Sequence, residues 1–133
     1  MPRILVIDDD KHVRYLLRVV LERQGYSVVE AENGNEGLQC YRAEPTDLVI
    51  TDMQMPVMDG LQMIRELRRV FPAAKVIAMS GGRGVLNLVQ TLVQRTFDKP
   101  FCIEELLDTV QQLASAPDFP GLRAAEETSH TLR

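Results

Sequence analysis

The chain has 133 residues, of which 45% are hydrophobic and 26% are charged, the balance of a single soluble globular domain. Its formal net charge is −4, so electrostatics give no reason to expect nucleic acid as a direct partner. The apolar segment near the N-terminus ends at Asp8–Asp10 and is too short for a signal peptide or a membrane span. Cys40 and Cys102 lack the spacing of a metal or redox motif. We therefore expect buried free thiols and a cytoplasmic protein.

Short β-branched segments alternate along the chain with segments of helical periodicity. The alternation begins with a strand, and the predicted strands and helices are, in chain order, Ile4–Ile7, Lys11–Gln24, Tyr26–Val29, Asn35–Ala43, Leu48–Thr51, Leu61–Phe71, Lys75–Met79, Val85–Arg95, Thr96–Asp98 and Ile103–Leu113. This (βα)5 order predicts a doubly wound α/β fold, in which helices cover both faces of a parallel five-stranded sheet. The periodicity stops at Ala114, so we expect a domain over residues 1–114 and a tail or linker over residues 115–133.

Polar and charged residues follow four of the predicted strands. They are Asp8–Asp10 after the first strand, Asp52 after the third, Ser80–Gly81 after the fourth, and Asp98–Lys99 at the end of the fifth. Because ligands bind at the carboxyl ends of the strands in such sheets, we expect these side chains to meet. Two carboxylates about 4 Å apart repel each other by roughly 4 kcal/mol at an effective dielectric near 20, so the cluster needs a cation.

Phosphoryl transfer with Mg²⁺ is the chemistry that fits this set. Mg²⁺ binds to one or two carboxylates, keeps several waters and bridges phosphate oxygens. The carboxylate of Asp52 can act as the nucleophile that forms an acyl phosphate. Lys99 and the Ser80 hydroxyl can contact the phosphoryl oxygens, and Gly81 leaves room for the group to approach.

Each of these residues also has a purely structural interpretation. Asp10 precedes the first predicted helix and Asp59 the third, so we expect both to cap helix N-termini rather than bind metal. Ser80–Gly81 can form a plain turn, and Lys99–Pro100 is a common loop dipeptide. Taken singly these signals are weak, but their placement on successive strand ends rarely arises by chance.

Four segments resemble the motifs of bacterial response-regulator receiver domains. Ile4–Asp10 looks like the first strand and acidic pair of that family, and Asp52–Gly60 is similar to its phosphoacceptor and Met-Pro-x-Met-Asp-Gly loop. Ser80–Gly81 looks like its Thr/Ser-small pair, and Phe97–Phe101 like its lysine–proline motif. The resemblance covers residues 2 to about 113, and it implies the flavodoxin-like strand order 2-1-3-4-5.

The resemblance implies a component of a two-component His-to-Asp phosphorelay, which catalyses only its own phosphorylation and dephosphorylation and is not an enzyme acting on other substrates. The implied residues are Asp52 as phosphoacceptor, Ser80 and Lys99 as phosphoryl-binding groups, and Asp8, Asp9, Asp52 and the backbone carbonyl of Gln54 as Mg²⁺ ligands. The implied phosphodonor is a sensor histidine kinase or a histidine phosphotransfer protein, and the output is a conformational shift that changes binding to a downstream protein. A homodimer through the fourth helix, fifth strand and last helix is a further expectation.

Three departures from the family pattern concern the second half of the chain. Thr96 lies three residues before Lys99, where receivers usually carry Tyr or Phe. The stretch Gly82–Arg95 is slightly short for the usual loop and fourth helix, and Leu92–Gln94 stands where Gly-Ala is common. We therefore expect an intact phosphorylation site and a variant read-out face.

Two rival interpretations stay open. A phosphatase of the haloacid-dehalogenase-like kind would use Asp8 as nucleophile and Asp10 as acid/base, but His12 stands where that motif needs Thr or Val. A receiver-like interaction module that takes no phosphate is the second rival, and the complete acidic set argues against it. The sequence favours a stand-alone receiver over a fragment of a longer regulator only weakly.

Overall fold

The computed structural model of the chain describes residues 2–55, 57–82, 84 and 86–114. Its elements, in chain order, are β1 (Arg3–Ile7), α1 (Lys11–Arg23), β2 (Ser27–Ala31), α2 (Gly34–Ala43), β3 (Leu48–Asp52), α3 (Gly60–Val70), β4 (Val76–Ser80), a 3₁₀ turn (Leu86–Leu88), β5 (Arg95–Asp98) and α4 (Ile103–Ala114). All neighbouring strands pair in parallel, in the order β2-β1-β3-β4-β5. The predicted sheet and its strand order are confirmed, while the predicted tail over residues 115–133 lies outside the described residues.

Two apolar layers enclose the sheet because successive side chains of a strand point to opposite faces. In β1, Leu5 and Ile7 pack on the face covered by α2 and α3, whereas Ile4 and Val6 pack on the face covered by α1 and α4. Strands β3 and β4 are buried along their whole length, as expected for a parallel sheet covered on both sides. Polar side chains can therefore gather only at the ends of these strands.

Three helices begin with a polar side chain that caps the first turn. The carboxylate of Asp10 accepts a hydrogen bond from the His12 amide at 2.8 Å, and that of Asp59 accepts one from Gln62 at 2.9 Å. Asn33 caps α2 in the same way. These bonds satisfy amide groups that the first helical turn leaves free. Both aspartates expected to act as caps do so.

The expected fourth helix over Val85–Arg95 is wrong. In the described part of this stretch, Leu86–Leu88 form a 3₁₀ turn and Arg95 already belongs to β5. Amides in between bond three residues back, from Val89 to Leu86 at 3.1 Å and from Leu92 to Val89 at 2.8 Å. Leu86 and Val89 are buried with this period of three, while Leu88 is 62% exposed. Apolar residues three apart fit both helix types, so the sequence pattern alone did not distinguish them.

Arg68 of α3 forms hydrogen bonds with the last residues of the segment before β5. Its guanidinium donates to the Leu92 carbonyl at 2.7 Å, to the Gln94 side chain at 3.0 Å and to the carbonyls of Pro72 and Ala74. Gln94 in turn pairs with the backbone of Val76, the first residue of β4. Burial lowers the pKa of Arg68. These contacts from a distant helix favour tight turns over a continuous helix before β5.

The prediction of two buried thiols is also wrong. Both cysteines are free, but Cys40 is only half-buried and Cys102 is exposed. Cys102 directly precedes Ile103, the first residue of α4, so it lies outside the apolar stripe of that helix. Burial and the nearby Glu36 carboxylate raise the pKa of Cys40. Among the described residues, no helix is both long and apolar enough to cross a membrane.

Candidate functional site: an acidic cluster with one lysine

The carboxyl ends of four strands bring the predicted site residues to one edge of the sheet. Asp8 directly follows β1, Asp52 ends β3, Ser80 ends β4 and Lys99 directly follows β5. The strand order changes direction between β1 and β3, where such folds bind their ligands.

The three carboxylates of the cluster lie close enough to share one cation. Oxygens of Asp8, Asp9 and Asp52 all lie within 4.8 Å of one another. Asp8 is only 1% exposed and Asp52 only 5% exposed, whereas Asp9 is exposed to solvent. Asp10 is not in this group, because its carboxylate caps α1. Carboxylate oxygens in this number suit a hard divalent ion such as Mg²⁺, with the exposed side left for water.

Lys99 supplies the positive charge of the site. Its Nζ lies 3.0 Å from Asp8 Oδ2 and 3.5 Å from Asp52 Oδ1. Burial by itself would lower the pKa of Lys99, but the hydrogen bond to Asp8 and the charges of both aspartates outweigh it, so the pKa is raised. Lys99 is therefore a cation throughout the physiological range, and it bridges the two buried carboxylates.

The positive charge of Lys99 does not balance the negative charge of the carboxylates, as the pKa of Asp52 indicates. Burial, followed by the charge of Asp8, raises the pKa of Asp52. Lys99 and the backbone amides of Gln54 and Met53 act in the opposite direction, and the Met53 amide lies 2.9 Å from Asp52 Oδ1. The upward shift means that the ionised form is under-compensated in the protein alone. A bound cation would correct this imbalance.

Ser80 and Lys99 are joined through the backbone. The Lys99 amide donates to the Ser80 carbonyl at 2.9 Å, and the buried Ser80 hydroxyl accepts a bond from the Gly82 amide at 3.0 Å. Ser80 therefore does form the turn that was its simpler interpretation, while its hydroxyl keeps its own proton to donate. Among the described residues, a methyl group at Gly81 would meet only Lys99 Cβ at 3.9 Å, so their packing does not require glycine there.

Gly34 and Gly60 hold the loop after Asp52 in place. A side chain at Gly60 would come within 2.6 Å of the Asp52 carbonyl, and one at Gly34 within 2.7 Å of the Met58 carbonyl. The Gly34 amide also donates to that Met58 carbonyl at 3.2 Å. The loop that contains Gln54 is thereby held against α2, a contact that no local sequence signal revealed.

Arg14 is a further residue that the sequence did not single out. Its guanidinium donates to the Asp8 carbonyl at 2.7 Å and to Glu30 Oε1 at 3.1 Å. The spacing between Arg14 and Asp8 carries no known motif, and the contact depends on the pairing of β1 with β2.

Comparisons with known proteins agree with this geometry. The sequence model of the response regulator receiver domain matches residues 4–111. The chain is 33% identical to sporulation initiation phosphotransferase F of Bacillus subtilis over 114 residues, covering 83% of this chain and 91% of that protein. It is 32% identical to the chemotaxis protein CheY of the same organism over 114 residues, covering 83% and 95%. It is also 36% identical to the transcriptional regulatory protein GlrR of Escherichia coli, covering 86% of this chain but only 28% of that protein.

Solved structures of response regulators share the fold of this chain. The response regulator TrrA of Thermotoga maritima, determined in complex with Mg²⁺-BeF, superposes with a TM-score of 0.80 at 35% identity, covering 85% of this chain and 99% of that chain. A receiver domain from Clostridium thermocellum superposes with a TM-score of 0.78 at 28% identity, covering 86% and 95%.

The chain therefore belongs to the response regulator receiver domain family. Receiver domains of two-component phosphorelays take phosphate from sensor kinases and act on downstream targets, and they belong to response regulators rather than to conventional enzymes. The phosphatase and the phosphate-independent module are not favoured. The chain matches some relatives over nearly their full length, and spans only about a quarter of others.

Proposed function

We propose that this receiver domain takes up a phosphoryl group on Asp52 in an Mg²⁺-dependent reaction and changes its conformation in response. The proposed ligands of Mg²⁺ are Asp8, Asp9, Asp52 and the backbone carbonyl of Gln54, and the proposed phosphoryl-binding groups are Ser80 and Lys99. The observation that carries this proposal is the three-carboxylate cluster within 4.8 Å, with the Lys99 ammonium 3.0 Å from Asp8 and 3.5 Å from Asp52.

The residues present fit a magnesium ion. Two buried carboxylates and one exposed carboxylate provide hard oxygen ligands, and the raised pKa of Asp52 indicates that positive charge is lacking. When bound, Mg²⁺ supplies positive charge that offsets the carboxylates and the phosphoryl oxygens during transfer.

The transfer itself needs one nucleophile and a site for three oxygens. A carboxylate oxygen of Asp52 forms a bond to phosphorus while the bond from phosphorus to the donor imidazole nitrogen breaks, and that nitrogen keeps the electron pair. Lys99 can then turn from Asp52 to a phosphoryl oxygen while it stays near Asp8. The Ser80 hydroxyl can donate its proton to a second phosphoryl oxygen. Dephosphorylation is a separate hydrolysis, in which a water oxygen attacks phosphorus, the Asp52 carboxylate leaves with the bonding electron pair, and the product is inorganic phosphate, which takes the water proton.

The proposed function also includes a phosphodonor, a downstream target and a surface for self-association. The donor is a phosphohistidine on a sensor histidine kinase or a histidine phosphotransfer protein, and a downstream protein receives the signal in the cytoplasm. The domain spans residues 1–114, with no nucleic acid or membrane contact of its own. The surface for a second copy is the face formed by residues 86–98 and α4. The domain catalyses only its own phosphorylation and dephosphorylation.

Incubation with a small-molecule phosphodonor tests the proposal. With Mg²⁺, the wild-type chain should gain one acid-labile phosphate, and chelation of the metal should abolish the gain. The Asp52→Asn variant should not take up phosphate at the wild-type rate, because an amide oxygen is a poor nucleophile. Normal labelling of Asp52→Asn, with loss of labelling in Asp8→Asn, would instead favour the phosphatase interpretation.

A further inference from the structure

Arg14 lies beside the acidic loop, although it has no place in the proposed chemistry. It is the fourth residue of α1, and side chains on a helix lean toward its N-terminus. The guanidinium therefore reaches back to the loop before the helix and donates to the Asp8 carbonyl at 2.7 Å. Only 11% of the Arg14 side chain is exposed, so water competes little for this bond.

The bond to Asp8 acts on its neighbour Asp9. The carbonyl of Asp8 and the amide of Asp9 belong to one rigid peptide plane, which also contains the Cα atoms of both residues. The Asp8 amide is already fixed by a 3.1 Å bond to the Ala31 carbonyl. With its carbonyl held by Arg14, the plane has one orientation, and the position of the Asp9 Cα follows from it. Asp9 is exposed, so its carboxylate has little packing of its own to orient it.

Strand β2 holds the guanidinium in turn. Arg14 Nε lies 3.1 Å from Oε1 of Glu30 in β2, and Arg14 Nη2 lies 3.9 Å from Oε1 of Glu32, the residue after that strand. Arg18, one helical turn later, binds the other carboxylate oxygen of Glu30 at 2.6 Å. Its guanidinium also donates a hydrogen bond to a backbone carbonyl, that of Val28 and not that of Asp8. Arg14 and Arg18 thus share the carboxylate of Glu30. Among the described residues, Arg14 contacts the acidic loop through Asp8, whereas Arg18 bonds to Glu22, Val28 and Glu30.

We infer that Arg14 is a positioning residue for Mg²⁺ binding, which fixes the Asp8–Asp9 peptide plane and so aims the Asp9 carboxylate at the metal. The inference rests on the proposed function, since it assumes that the acidic cluster binds Mg²⁺. Its effect is one of orientation, because the charge of Arg14 is balanced by Glu30 and Glu32. Groups that orient metal ligands from outside the ligand set typically change metal affinity 10- to 100-fold when removed.

Calorimetric titration with MgCl₂ tests the inference, with Arg18→Met as the matched control. Arg14→Met should weaken Mg²⁺ binding about tenfold, and Arg18→Met, which loses a bridge to the same Glu30, should change it less than about twofold. Arg14→Lys keeps the charge but not the fork of donors, and it should fall between wild type and Arg14→Met. If Arg14→Met does not fold, Arg14→Lys carries the test.

A double-mutant cycle separates orientation of Asp9 from general loosening. In an Asp9→Ala background, Arg14→Met should weaken Mg²⁺ binding less than about twofold, because the ligand that Arg14 aims is already gone. Without metal, amide exchange at Asp10, whose amide bonds to Asp8 Oδ1 at 2.9 Å, should accelerate in Arg14→Met and not in Arg18→Met.

Three results would overturn the inference. They are wild-type Mg²⁺ affinity in Arg14→Met, an equal loss in Arg18→Met, and a full tenfold loss that persists in the Asp9→Ala background. Failure of the wild-type chain to bind Mg²⁺ at all is a different result, since it removes the proposed function together with this inference.

Discussion

Replacing Lys99 by Met should destabilise the domain, because it leaves two buried carboxylates without their cation. At an effective dielectric near 20, the contact at 3.0 Å with Asp8 corresponds to about 5.5 kcal/mol of attraction, and that at 3.5 Å with Asp52 to about 4.7 kcal/mol. These gross attractions are largely offset by desolvation of the ammonium. Breaking a buried pair typically costs about 3–5 kcal/mol, and the 26% exposure of Lys99 places the loss near the lower limit.

The pH dependence of this loss has a definite sign. The pKa of Lys99 is raised in the fold, so its contribution to stability is fully present below its ordinary pKa and is lost only as pH rises through the higher value. The pKa of Asp52 is raised as well, so this carboxylate takes up a proton before ordinary aspartates do as the pH falls. Removing Lys99 raises it further. The deficit of Lys99→Met should therefore be largest at pH 7 to 8 and shrink toward pH 5.

Thermal unfolding of metal-free protein measures this deficit. A loss of about 3 kcal/mol should lower the unfolding temperature by roughly 10 °C for a domain of this size. Saturating Mg²⁺ should restore part of it, since the ion replaces the missing charge. Lys11→Met is the control, because Lys11 is an exposed lysine at the start of α1. A deficit that is absent, or that is the same at all pH values and Mg²⁺ concentrations, would refute the electrostatic reasoning.

Three other perturbations test the proposed site and its read-out. Asp9→Ala should weaken Mg²⁺ binding at least tenfold and slow phosphorylation, and an unchanged Mg²⁺ titration would contradict the site. The metal-free variant should unfold at a slightly higher temperature than wild type, because Asp9 no longer repels the two other carboxylates, whose oxygens lie within 4.8 Å. Ser80→Ala should still take up phosphate but show a blunted spectral response, and spectra equal to those of phosphorylated wild type would make Ser80 a turn residue only. Hydrogen exchange across Gly82–Arg95 should change on addition of a phosphoryl mimic more than exchange at Thr96, and equal protection in both states would exclude this segment as the read-out.

The carboxyl-end rule predicted the composition of the site from the sequence. Asp8, Asp52, Ser80 and Lys99 are far apart along the chain, yet their place after buried strands was enough to bring them to one edge. The role of each in phosphate chemistry stays a prediction. The caps Asp10 and Asp59 were predictable for a different reason, since a cap is a local feature that depends on residues two or three positions away.

Features set by distant contacts were not predictable in this way. The apolar residues around the 3₁₀ turn Leu86–Leu88 have a spacing that also fits an α-helix, and the hydrogen bond from Arg68 to the carbonyl of Leu92, 24 residues away, has no signal in the local sequence. The bond of Arg14 to Asp8 also depends on Glu30 of the neighbouring strand. Cys102 was misjudged because it directly precedes α4, which begins at Ile103 as predicted, so Cys102 does not share the buried face of that helix.

Locating the phosphate on the chain tests the central claim most directly. Borohydride reduction converts an aspartyl phosphate into homoserine, which peptide mass spectrometry assigns to one residue. After incubation of the wild-type chain with a small phosphodonor and Mg²⁺, the account predicts homoserine at position 52 and at no other aspartate. Homoserine at position 8, or a stable phosphate that leaves Asp52 unmodified, would contradict the assignment of Asp52 as the phosphoacceptor.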